Sequence, residues 1–135
     1  MGPVLLWMAA IYVVSAQPTL PTIGETWLDR TVKAAAHAGE YAVLAVLMAR
    51  PALAGGGWLS RKQALVVLGL CFLYSLSDEY HQSFVAGRMA DWADVAADTA
   101  GAFLSVVALS ADGPAGLLRR LDPLLRARCP DRVGE

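Results

Sequence analysis

Acidic and basic side chains recur at helical spacing inside stretches that are otherwise apolar, and these are the residues able to do chemistry. Asp29, Lys33, His37 and Glu40 follow one another at steps of four, four and three, which sets them along one helix face. Ser75, Asp78, Glu79, His81 and Gln82 crowd the end of a second apolar run, with Asp78 one turn from Gln82 and Ser75 one turn from Glu79. Asp91, Asp94, Asp98, Gly101 and Ser105 make a third stripe at steps of three and four. An ionisable group within a hydrophobic span is costly and as a rule faces a bundle interior or water. The five carboxylates Glu40, Asp78, Glu79, Asp94 and Asp98 cannot all stay ionised together in such a setting, so they must pair with cations, bind a metal or share protons. Lys33, Arg88 and the two histidines, His37 and His81, are the counter-charges at hand.

The residue types suggest definite roles. Arg88 presents a planar fork suited to a phosphate or carboxylate. His37 or Glu79 can act as general base or acid, with Glu40, Asp78 and Gln82 completing the candidate catalytic set. Asp94 and Asp98, one turn apart, offer oxygen ligands to a hard divalent cation such as Mg2+ or Ca2+. The plainer reading of each is a helix lock made of hydrogen bonds and ion pairs. Tyr41, Tyr74 and Tyr80 read as packing or interfacial residues, and Trp7, Trp27, Trp58 and Trp92 as interfacial anchors. Gly39 and Gly101 mark places where helices approach closely.

The elements that position these residues follow from composition. Of 135 residues 56% are hydrophobic and 17% charged, and the mean hydropathy is +0.46. Such a chain is neither disordered nor an ordinary water-soluble domain. The net charge of -1 gives no reason to expect a nucleic-acid partner. Four apolar runs, residues 3–16, 32–48, 64–77 and 95–110, reach spanning length when their polar flanks are included. Residues 66–74 (VVLGLCFLY) lack the recurring polar face of a soluble bundle helix. The predicted fold is all-α, an integral membrane four-helix bundle over residues 1–112, followed by a tail over 113–135. In that tail leucines alternate with arginines, as in a basic amphipathic segment on an anionic inner leaflet or a solvated end.

The first run ends Val14-Ser15-Ala16, which resembles a secretory cleavage site, but no Lys or Arg precedes it, so it reads as a retained span. With the N-terminus inside, the cytoplasmic segments hold Arg50, Arg61, Lys62, Arg119, Arg120, Arg126, Arg128 and Arg132, against Arg30, Lys33 and Arg88 outside. The excess places both termini in the cytoplasm. Pro18, Pro21 and Gly24 make residues 17–26 an outer loop, and residues 51–57, with Gly55, Gly56 and Gly57, an inner turn. Cys71 and Cys129 read as free thiols. All three polar stripes then fall at the outer ends of their helices.

Asp78-Glu79-Tyr80-His81-Gln82-Ser83-Phe84-Val85-Ala86-Gly87-Arg88, followed by Asp94 through Gly101, resembles the signature of VanZ-like membrane proteins. That signature runs acidic-Glu, Gln, an aromatic, Pro-Gly-Arg, then Asp and an Asn or Asp before a Gly. The Lys33, His37, Glu40, Tyr41 and Leu44 segment is similar to the family's other motif, so the likeness spans roughly residues 25–108. Ala86 stands where the family often has Pro, Asp98 where Asn is frequent and Ser105 where a second Gly is common. The resemblance implies a small membrane protein of the cell envelope, with a link to susceptibility to the glycopeptide antibiotic teicoplanin. It supplies no reaction.

Three classes of function remain open on the sequence. The polar site can act on or bind an envelope lipid or lipid-linked glycan or phosphate. It can line a conduit for protons or a small solute, or it can dock another membrane protein without catalysis.

Overall fold

A computed structural model of the chain describes residues 2–17, 27–54, 57–88 and 90–110. They form four helices, α1 (Gly2–Ser15), α2 (Trp27–Leu53), α3 (Arg61–Gln82) and α4 (Trp92–Leu109). The predicted all-α four-helix arrangement is what the chain adopts. Each helix is longer at its polar end than the apolar run alone, apart from α1, because the charged flanks continue the helix. The tail and the segment with Pro18, Pro21 and Gly24 lie outside the described residues, as does Cys129.

The termini of the helices are written in short-range chemistry. Ser60 caps α3: its Oγ accepts from Gln63 N while Ser60 N donates to Gln63 Oε1 at 3.0 Å, a reciprocal capping box. Asp91 caps α4, its Oδ1 accepting from Ala93 N at 2.9 Å. The expected inner turn over residues 51–57 begins later than its proline suggests. α2 continues through Pro51 to Leu53, since a proline in the last turn removes only one helical bond before the helix stops anyway.

Contact is most extensive between α2 and α4; α3 packs against both, and α1 leans on α2 and α3. Gly101 explains the closeness of the central pair. A Cβ there would overlap the backbone of Ala38, so only glycine allows α4 to seat against α2. Gly39, expected to play the same part, is exposed with open space around its Cα; it sits one position round the helix from the contact. At the end away from the polar stripes, Leu59 N donates to Leu109 O at 2.9 Å. This bond ties the α2–α3 connection to the end of α4.

The distribution of polarity is inverted relative to a water-soluble bundle. Leu5, Leu6, Val13, Val43, Leu65, Val66, Leu73, Phe103 and Leu104 point outward, whereas Ser15, Ser75, Asp78, Glu79, Gln82 and Asp98 are buried. Water penalises such an exterior and a bilayer accepts it. α2 and α4 are long and apolar enough to cross a membrane, and only 22% and 28% of their apolar windows are buried. The core helix of a soluble protein would be mostly enclosed. At about 1.5 Å per residue α2 is roughly 40 Å long, more than the roughly 30 Å of a hydrocarbon core.

Candidate functional site

The end of α1, the middle of α2 around His37 and Glu40, the end of α3 and the first half of α4 come together, and the buried polar side chains meet there. His37 on α2 sits between two carboxylates of α4. Its Nδ1 lies 3.0 Å from Asp98 Oδ1 and its Nε2 3.7 Å from Asp94 Oδ2. A carboxylate accepts and an imidazole N–H donates, so the shorter contact holds a proton on Nδ1. The other oxygen of Asp98, Oδ2, accepts from Ser75 Oγ on α3 at 2.7 Å. Asp98 is thus fixed from two helices. It is 2% exposed, a depth at which a carboxylate needs such partners.

The acidic pair of α3 is divided between two tasks. Asp78 accepts from Ser15 Oγ of α1 at 2.6 Å and from Gln82 Nε2 at 3.0 Å. Glu79 Oε1 accepts from the backbone N of Asp91 at 2.6 Å, which anchors the loop entering α4. Gln82 relays the network outward, its Oε1 accepting from Arg88 Nη1 at 2.5 Å. Glu40 forms no hydrogen bond through its carboxylate among the described residues, and it lies within electrostatic reach of His37, Asp98 and Asp78. Glu79 is likewise coupled to Asp94, His37 and Asp78. The carboxylates therefore belong to one electrostatic unit.

The loop that delivers Arg88 needs a special backbone at one residue. Gly87 has φ 82°, a left-handed conformation that a side chain disfavours. Backbone bonds from Val85 N to Gln82 O and from Arg88 N to Val85 O close the turns around it. The turn forms with Ala86 in place of the proline frequent in similar sequences.

Most of the sequence-derived candidates are brought together: His37, Glu40, Asp78, Glu79, Gln82, Arg88, Asp94 and Asp98 share this end. Several partners lie on other helices. Ser75 donates to Asp98 of α4. Among the described residues, the ion pairs of the acidic cluster are both made by His37; Lys33 is exposed and Arg88 bonds a neutral amide. Asp94 and Asp98, expected as a cation pair, both flank His37. Among the described residues no group of three His, Cys, Asp or Glu side chains is arranged to hold a metal.

His81, expected as a counter-charge to the acids, stacks on Tyr12 of α1 with ring centroids 4.2 Å apart and makes no ion pair among the described residues. Trp7, expected as an interfacial anchor, donates from Nε1 to Glu40 O at 2.9 Å and fastens α1 to α2. Trp27, Tyr80, Phe84 and Trp92 are exposed around the polar end, where amphipathic rings suit a headgroup layer. Sequence reasoning missed Ser15, which was read only as part of a cleavage-like ending; its signal was a small hydroxyl residue at the polar end of an apolar run.

A four-helix bundle with an apolar exterior and a buried acid–base cluster at one end defines a small all-α membrane protein. The family model described as VanZ/LLP1 matches residues 4–111, reaching into all four helices, and the chain belongs to that family. No curated protein and no solved structure matches it.

Proposed function

We propose that the polar end opens toward the outer leaflet and binds the phosphate of an envelope lipid or lipid-linked glycan, with Arg88 as the anion receptor. In this reading the chain crosses the bilayer four times with both termini in the cytoplasm, and residues 113–135 form a basic cytoplasmic tail. The Lys and Arg distribution supports that orientation. The observation that carries the reading is the state of Arg88. It stands beside a set of carboxylates, yet its hydrogen bond goes to the neutral Gln82 amide, and among the described residues it has no ion pair. A guanidinium has five donors in a fixed fork. Gln82, itself pinned by Asp78, aims the fork and leaves most of it for a ligand. Phosphate fits it bidentately.

His37 adds a base to this binding site. With Nδ1–H given to Asp98, Nε2 is the nitrogen able to take a proton from a hydroxyl or water beside a bound phosphate, and Asp94 stands 3.7 Å away to stabilise the resulting imidazolium. A through-membrane conduit is less well supported. Buried polar side chains gather at one end, while the other half is closed by Leu44, Ala45, Ala49, Leu59, Val67 and Val106.

The reading is tested by extracting the chain from cells with its surrounding lipid and identifying the lipids that co-purify. A phosphate-bearing envelope lipid enriched with the unmodified chain, and lost from Arg88→Lys at equal accumulation, is the expected result. Equal lipid profiles for the two chains contradict it. The resemblance to VanZ-like proteins suggests a link to glycopeptide susceptibility, and in this reading Arg88→Lys is expected to abolish any teicoplanin tolerance that expression confers.

A further inference from the structure

Three buried side chains stand in line behind Arg88. Ser15 of α1 and Asp78 and Gln82 of α3 are 6%, 4% and 2% exposed. Ser15 Oγ lies 2.6 Å from Asp78 Oδ1, Gln82 Nε2 lies 3.0 Å from Asp78 Oδ2, and Arg88 Nη1 lies 2.5 Å from Gln82 Oε1. Ser15 has one hydroxyl hydrogen and a second acceptor, the Tyr12 carbonyl, at 3.0 Å. That carbonyl already takes the helical bond from Ala16 N, and 2.6 Å is the range for a hydroxyl donating to a carboxylate. The hydrogen therefore goes to Asp78. Chemistry also forces the direction of the other two bonds. A carboxylate accepts and a guanidinium donates, whereas a primary amide does one at each end. Gln82 satisfies both neighbours in a single orientation, amine toward Asp78 and carbonyl toward Arg88. Turned over, it would set carbonyl against carboxylate and amine against guanidinium.

We infer that Ser15 and Asp78 are positioning residues of the anion site: together they fix which way round the Gln82 amide lies, so that α1 as well as α3 sets where the Arg88 fork points. Asp78 offers Gln82 one oxygen and is held through the other by Ser15, so the carboxylate resists turning away from the amide. Gln82 ends α3 and Arg88 lies in the turn beyond, so the last bond of the line passes from helix to loop. It engages Nη1 and leaves Nε and Nη2, two donors that point the same way, for a bidentate phosphate. A tie between α1 and α3 would need only the bond from Ser15 to Asp78. Its continuation through a buried amide to a guanidinium is what a receptor needs. The inference rests on Arg88 receiving a phosphate, as proposed above.

The test reads the amide and the ligand separately. The chain has three glutamines, Gln17, Gln63 and Gln82, so the side-chain amide of Gln82 is readily assigned in the full chain, labelled with 13C and 15N in lipid nanodiscs. Solid-state NMR of the unmodified chain is expected to show Gln82 Nε2 in through-space contact with the Asp78 carboxyl carbon. Contact of Nε2 with Arg88 Cζ in its place overturns the inference, and this measurement stands even if no variant accumulates. Ser15→Ala should shift the Gln82 amide signal. It should also lower the preference for a prenyl phosphate over the corresponding prenyl alcohol by about two- to tenfold, the ordinary worth of one hydrogen bond. An unmoved Gln82 signal or an undiminished preference in Ser15→Ala overturns the positioning role and leaves Arg88 as the receptor. Absence of any preference in the unmodified chain, with the amide contact present, overturns the reading of Arg88 and the role of Ser15 with it.

Discussion

Gly101 of α4 rests against the backbone of Ala38 in α2, and this contact sets the distance at which His37, the preceding residue, meets Asp98, one turn before the glycine. The 3.0 Å bond between imidazole and carboxylate is thus a consequence of a missing side chain elsewhere. Gly101→Ala should force α2 and α4 apart, lowering stability by about 1–3 kcal/mol as overpacking does. Gly39→Ala, on the open side of α2, should be neutral or slightly stabilising, since alanine favours a helix by about 1 kcal/mol over glycine. Thermal unfolding of the two variants in the same detergent checks both outcomes.

Asp98 separates a charge effect from a partner effect. Asp98→Ala leaves His37 and Ser75 without their acceptor and should destabilise the bundle by about 3–5 kcal/mol, the range for breaking a buried pair. Asp98→Asn keeps one acceptor oxygen and the volume, so it should cost clearly less. Equal losses in unfolding measurements would mean that the carboxylate acts by charge alone.

Ser15 is the polar tie between α1 and the site. Ser15→Ala removes one of the two donors to Asp78 and should cost about 1–3 kcal/mol. The change should weaken the α1–α3 contact without freeing α1, because Trp7 and Tyr74 still hold it through Glu40 O and Met8 O. Cross-linking between cysteines placed on α1 and α3 should slow, while a pair on α2 and α4 should react as before.

The orientation has its own test. In a chain whose native cysteines are replaced, a single cysteine at Ser83, in the exposed loop after α3, should react with an impermeant reagent added outside intact cells. One at Ser60, at the opposite end of α3, should react only after the membrane is opened. The reverse pattern would put the acid–base cluster on the cytoplasmic side.

The sequence made the helices and their polar faces legible because periodicity is a property of one segment. Asp94 and Asp98 had to share a face, and so did Asp78 and Gln82, whatever surrounded them. Partner choice between helices is a different matter, since it depends on their relative height and rotation. Whether Asp94 and Asp98 face a cation or His37 is decided by the Gly101–Ala38 contact, and nothing local to α4 encodes it. Gly39 and Gly101 look alike as sequence; only packing shows that one is a contact and the other is not. The partner of Trp7 shows the same dependence: its indole N–H finds a backbone carbonyl on another helix.

The proposed role of Arg88, held by Gln82 to receive a lipid phosphate, is open to a titration. The full chain in nanodiscs of neutral lipid would be titrated with a prenyl phosphate and with the corresponding prenyl alcohol, and the bound fraction read by native mass spectrometry. The phosphate is expected to bind at least about tenfold more tightly than the alcohol, a difference of about 1.4 kcal/mol, and Arg88→Lys to remove the preference. Indistinguishable binding of the two lipids, or a preference that survives in Arg88→Lys, would contradict it.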